Sequence, residues 1–232
     1  MPRLVVIPPD VFTIGNSSEL SRVVVYAAGG TRVAGLGRTL RCRDAACSYT
    51  GLMEQDRKRF RKGGAVTVAV SGDAADYVDG FRRRYDPNVS HIMPHVTLAS
   101  APELDVCDWM PARPHIQEAL AQLPPFIIRV TELGTFMDEN VLWLRPTALH
   151  GELLMLRQTI LGSFPGVAFD RTDDFVPHIS IGFFASSDDL LKARDTVCGE
   201  LIPFSFRVGF ISYLQADEGN IWQCVDTVEL GG

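Results

Sequence analysis

Three features of this 232-residue chain predict an α+β fold built from two similar halves. From residue 65 the apolar pattern alternates between short β-rich runs and helical stretches, in the order β-α-β-α-β-β-α-β-α-β-β. Two segments in matching places of that order repeat one another: Pro94-His95-Val96-Thr97-Leu98-Ala99 and Pro177-His178-Ile179-Ser180-Ile181-Gly182. Residues 1 to 64 stand outside the repeat and differ in charge, which sets a boundary near Gly63-Gly64 and divides the chain into a basic N-terminal extension and a main domain over 65–232.

Ala65 to Val70 is an alternating β-branched run, ended by Ser71-Gly72-Asp73 and followed by a helical stretch from Ala74 to about Arg84. His91 to Ala99 reads as the second strand, its Pro94 fitting a strand start or edge. Pro114 to Leu123 is helical in pattern and stops at Pro124-Pro125. Phe126 to Thr131 and Val141 to Arg145 resemble a hairpin with a longer loop. Ala148 to Leu161 places Leu149, Leu153, Leu156 and Ile160 at helical spacing. Val176 to Phe184 is the strand of the second repeat, and Ser187-Asp188-Asp189 caps a helix running to about Leu201. Phe204 to Leu214 and Asn220 to Leu230 form a last strand pair. In the extension, Arg22 to Ala27 looks like a strand and Gly29-Gly30 a turn.

Composition narrows the class. With 46% hydrophobic and 22% charged residues the chain is long enough for one substantial core. No apolar run is long enough to span a bilayer, and Pro8-Pro9-Asp10 interrupts the only early one, so no membrane and a cytoplasmic location are expected. Five cysteines at irregular spacing do not make a disulfide framework and read as reduced packing residues. Residues 1 to 64 hold 11 Lys and Arg against 5 Asp and Glu, net +6, leaving 11 against 23, net −12, for the rest. The densest basic stretch, Arg57 to Lys62, reads as a solvated surface segment able to attract a polyanion, and the acidic balance of the main domain argues against a long nucleic-acid footprint there.

Because strand side chains alternate faces, His95 and Thr97 must share one face, and so must His178 and Ser180. Two such strands side by side present two imidazoles and two hydroxyls to one cleft. An imidazole titrates near about 6.5, so one ring can accept a proton while its partner donates one. That is the pairing a phosphodiester cleavage needs, with the hydroxyls donating to the non-bridging oxygens.

The His-apolar-Thr and His-apolar-Ser motifs, 83 residues apart and each preceded by proline, resemble those of the 2H phosphoesterase superfamily, which includes 2′,5′ RNA ligase-like proteins, cyclic phosphodiesterases and 2′,5′-oligoadenylate phosphodiesterases. The resemblance covers residues 65–232. It implies a bilobal fold, two antiparallel sheets flanking a central cleft with helices outside, and metal-independent acid-base catalysis with no cofactor, with His95, Thr97, His178 and Ser180 as the catalytic set.

Further residues are weighed on local grounds. His91 and His95 are four apart, but Pro94 lies between them, so shared zinc ligation is not expected; His91 reads as a neighbour of the cleft mouth. His115 and His150 read as surface residues, and Cys42 with Cys47 lack the further ligands of a zinc site. Phe184 shares strand phase with His178 and Ser180 and is the expected stacking residue for a base, with Tyr213 a second, whereas Phe183, Trp143 and Trp222 are expected in the core. Gly29-Gly30 and Gly35-x-Gly37 lack the ending of a phosphate loop. The expected function is hydrolysis of a ribose-linked phosphodiester in a nucleotide or RNA end, with no obligatory protein partner. A non-catalytic nucleotide- or RNA-binding module, and transfer or ligation by the same residues, are the alternatives.

Overall fold

The structure is a computed structural model. It describes residues 63–101, 104–164, 167, 169 and 175–231, and four short strands before them. Those four pair antiparallel as β1 (Arg22–Tyr26) with β2 (Arg32–Leu36) and β3 (Leu40–Arg41) with β4 (Ser48–Tyr49). The Gly29-Gly30 turn, Cys42, Cys47 and the basic stretch 57–62 lie outside the described residues.

The main region holds two antiparallel four-stranded sheets. One has the order β12-β11-β5-β6, from β12 (Trp222–Glu229), β11 (Phe210–Ala216), β5 (Gly64–Ala69) and β6 (His95–Ala101). The other has the order β10-β7-β8-β9, from β10 (Phe204–Val208), β7 (Phe126–Phe136), β8 (Val141–Thr147) and β9 (Ile179–Phe183). Both sheets therefore draw two strands from residues 64–147 and two from 179–229. The edge strands β6 and β9 lie against each other, and these are the strands of the repeated motif.

Four helices are described in this region: α1 (Asp73–Tyr85), α2 (Val106–Leu120), α3 (Glu152–Gly162) and α4 (Ser187–Glu200). Each covers apolar strand faces with a stripe of buried residues, such as Trp109, Ala112, Ile116 and Leu120 of α2. The connections cross over. Helix α1 follows β5 of the first sheet yet packs on β9 and β10 of the second, while α3 follows β8 of the second sheet and packs on β6 of the first.

Some elements depart from the sequence reading. Helix α2 starts eight residues earlier than expected, because Asp105 forms a capping box with Asp108 and the exposed Pro111 and Pro114 are accommodated inside the helix. Helix α3 begins only after Gly151, whose φ of 75° is left-handed, so Leu149 sits outside it and is exposed. The run from Phe204 to Leu214 is two strands, broken at Gly209, that belong to different sheets; a continuous apolar pattern carries no sign of such a transfer. Cys198 and Cys224 are free, as expected, but Cys107 is disulfide-bonded, a pairing that irregular spacing cannot reveal.

Candidate active site

Strand β6 begins at His95 because Pro94 cannot donate to a ladder, although its carbonyl still accepts from Val70 N at 2.9 Å. Proline plays a second part in both motifs. The residue before it is held extended, and the carbonyl of that residue meets the histidine two positions on: Nδ1 of His95 lies 2.7 Å from Met93 O, and Nδ1 of His178 lies 2.9 Å from Val176 O. A carbonyl oxygen only accepts, so each Nδ1 carries the hydrogen and donates it. Each Nε2 is left as the reactive nitrogen, unprotonated in the neutral ring.

The expected convergence holds. His95, Thr97, His178 and Ser180 all line one cavity of about 350 Å³, together with Arg82, Asp86, Asn88, His91, Ile92, Met93, Pro94, Phe183, Asn220 and Trp222. His178 is steadied by aromatic edges, its ring 5.0 Å from that of Phe136 and 6.2 Å from that of Trp143. Gly134 makes room for Trp143, since any Cβ there would enter the indole. The pKa of His95 is held below the ordinary imidazole value, chiefly because burial penalises its charged form; the hydrogen bond to Met93 opposes this, the charges of Arg82 and His178 add to it, and that of Asp86 opposes it.

His91 lines the cavity from the turn before β6, its backbone carbonyl accepting from Trp222 N at 2.7 Å and its Nδ1 buried without a partner. His115 and His150 are exposed, as expected. Four aromatic expectations are corrected. Phe183 lines the cavity and is 41% exposed, whereas Phe184 turns away and packs against Tyr85. The cause is a bulge: Trp143 pairs with Ser180 and Leu142 with Gly182, so Ile181 is an extra residue and the strand changes phase after it. Strand β6 has the same bulge at the same place, with Thr67 opposite Thr97, Val66 opposite Ala99 and Leu98 between. Tyr213 is fully buried, stacked on Trp109 at 4.6 Å, because it points to the face that α2 covers. Trp222, expected in the core, lines the cavity, while Trp143 is buried as expected.

Sequence reasoning also passed over Arg82, which is 2% exposed in the cavity wall. Its signal was present in Asp79, Arg82 and Asp86, spaced for ion pairs on one helix face. Among the described residues no group of three His, Cys, Asp or Glu side chains is arranged to hold a metal, and no helix is long and apolar enough to cross a membrane.

Two antiparallel β-sheets meeting at a pair of proline-led histidine strands define a bilobal α+β protein of the 2H phosphoesterase class. The sequence profile of the 2′-5′ RNA ligase superfamily matches residues 70–220, and the chain belongs to that family. A protein of Bacillus licheniformis, provisionally named a phosphoesterase, is 29% identical over 174 residues, covering 72% of this chain and 97% of its own length. One of Halalkalibacterium halodurans, named likewise, is 28% identical over 169 residues, covering 72% and 96%. Among solved structures, E. coli LigT complexed with ATP superposes with a TM-score of 0.52 at 14% identity, covering 75% of this chain and 99% of that one.

Proposed function

We propose that the chain is a metal-independent phosphodiesterase acting on a ribose-linked phosphodiester: a 2′,3′-cyclic phosphate, a 2′,5′ linkage or a cyclic nucleotide. The observation that carries this reading is that two imidazoles from distant strands, each with Nδ1 tied to the carbonyl two residues earlier, line one cavity with their hydroxyl companions. Family membership and the names of the relatives support it.

In this reading Nε2 of one histidine takes a proton from water as its oxygen attacks phosphorus, and Nε2 of the other gives a proton to the departing ribose oxygen as the P–O bond breaks. His95, held neutral by its burial, suits the base, which leaves His178 as the acid. Thr97 and Ser180 donate to the non-bridging oxygens as charge builds there. Phe183 and Trp222 line the cavity and are the aromatic side chains placed to stack on a base, and the cavity volume suits a nucleotide or an RNA end.

The test is an assay against 2′,3′-cyclic nucleotides, 2′,5′- and 3′,5′-linked dinucleotides and cyclic dinucleotides, with and without EDTA. Turnover unaffected by EDTA and lowered by about 10²–10⁴-fold in His95→Ala and in His178→Ala is expected. Wild-type turnover in both variants would remove the mechanism, and salt-sensitive binding without turnover would favour a non-catalytic module.

A further inference from the structure

The guanidinium of Arg82 is buried, charged and bonded through all three of its nitrogens to protein oxygens. Its Nε donates to Asp86 Oδ2 at 2.9 Å, one Nη to Asp79 Oδ1 at 2.8 Å, and the other Nη to the Ile92 carbonyl at 2.8 Å, with Asn88 O at 3.5 Å. These engagements make it a poor ligand for a substrate phosphate. Nor does stability account for it: a buried ion pair is generally matched or exceeded in stability by apolar side chains of similar volume.

What the side chain does is organise the turn ahead of β6. The turn is closed by Asn88 N on Asp86 Oδ1 at 2.8 Å and His91 N on Asn88 O at 2.8 Å, and Arg82 anchors its far end at Ile92. The next residue, Met93, supplies the carbonyl that fixes the His95 ring. The other end of the device lies one turn along α1. Tyr85 packs so closely on β9 that a Cβ at Gly182 would come within 2.8 Å of the Tyr85 Cβ. Helix α1 is thus seated on the His178 strand while its Arg82 grips the segment that delivers His95.

Building on the two-histidine reading above, we infer that Arg82 is a positioning residue, which sets the placement and tautomer of His95 relative to His178 by holding the Asp86–Met93 turn to helix α1. Lysine retains the charge but not the planar fork that reaches two carboxylates and a carbonyl together. Removing the fork frees the turn and, through Met93, the His95 ring.

The experiment uses the full-length chain and its Arg82→Lys and Arg82→Met variants, with histidine tautomers read by 15N NMR and kinetics measured on 2′,3′-cyclic AMP. Wild-type His95 is expected as the Nδ1–H tautomer alone. In the folded variants a mixture of tautomers is expected, with kcat at least 10-fold lower and KM within about 3-fold of wild type, since positioning acts on the transition state. A merely structural arginine would lower Tm and leave the tautomer and the kcat of the folded enzyme unchanged, and that result overturns the inference. Should neither variant fold, the wild-type spectrum decides, because a His95 already mixed between tautomers is not held as proposed. The tautomer measurement needs no turnover, so a chain inactive on 2′,3′-cyclic AMP and every other phosphodiester in the panel would remove the phosphodiesterase reading without touching this one.

Discussion

Each motif histidine owes its orientation to a main-chain carbonyl two residues upstream, so the chemistry of the cavity begins in the backbone. Thr97 and Ser180 contribute only hydroxyls to the proposed reaction. Thr97→Val and Ser180→Ala should therefore keep the fold and lower kcat by about 10–10³-fold each, read by steady-state kinetics beside a thermal melt. The pH profile follows from His95. A base must be neutral, and burial holds this ring below the ordinary imidazole value of about 6.5, helped by Arg82 and His178 and opposed by the Met93 hydrogen bond and Asp86. Activity should rise with pH along an acid limb whose midpoint in kcat/KM lies below about 6.5; a midpoint above that value would assign the base elsewhere. The four motif residues were legible in the sequence because strand alternation and repetition are local signals. Phe183, Trp222 and Arg82 were not, since their places depend on a bulge, a hairpin end and a buried ion pair that form only on folding.

Strands β6 and β9 each carry their bulge three residues after the histidine, at Leu98 and Ile181. The bulge turns the next side chains over, so Ser100 and Phe183 become exposed where strict alternation would reverse them. Close packing surrounds the second bulge. Gly182→Ala would drive a methyl group into Tyr85 and Phe184, and Gly134→Ala one into Trp143. Each substitution is expected to cost about 1–3 kcal/mol, a fall of about 2–4 °C in Tm per kcal/mol for a domain of this size, measured by calorimetry. Helix and strand identities were largely readable from periodicity. The start of α2 was hidden by its internal prolines, and the division of β10 from β11 by a run that stays apolar on both sides of Gly209.

At the scale of the whole molecule, the relatives from Bacillus and Halalkalibacterium match this chain over nearly their full lengths while covering 72% of it. We take residues 65–232 as a self-sufficient domain and residues 1–64 as an addition to it. A chain starting at Gly63 has no partner left for the disulfide of Cys107, since Cys198 and Cys224 are free. With Cys107→Ser in that chain and in the full-length protein, both should melt cooperatively and turn over substrate alike, and loss of both properties in the shorter one would make the two segments one folding unit. The overall order of elements was legible, but their crossing was not, because nothing in α1 names the sheet it will cover. That interleaving also governs when the protein can take shape during synthesis. With two strands of each four-stranded sheet encoded after residue 178, a nascent chain released at Thr147 has four of the eight strands of these two sheets and neither sheet complete. Such a chain leaves open edges that invite aggregation, so the native structure must wait for the last strands to leave the ribosome.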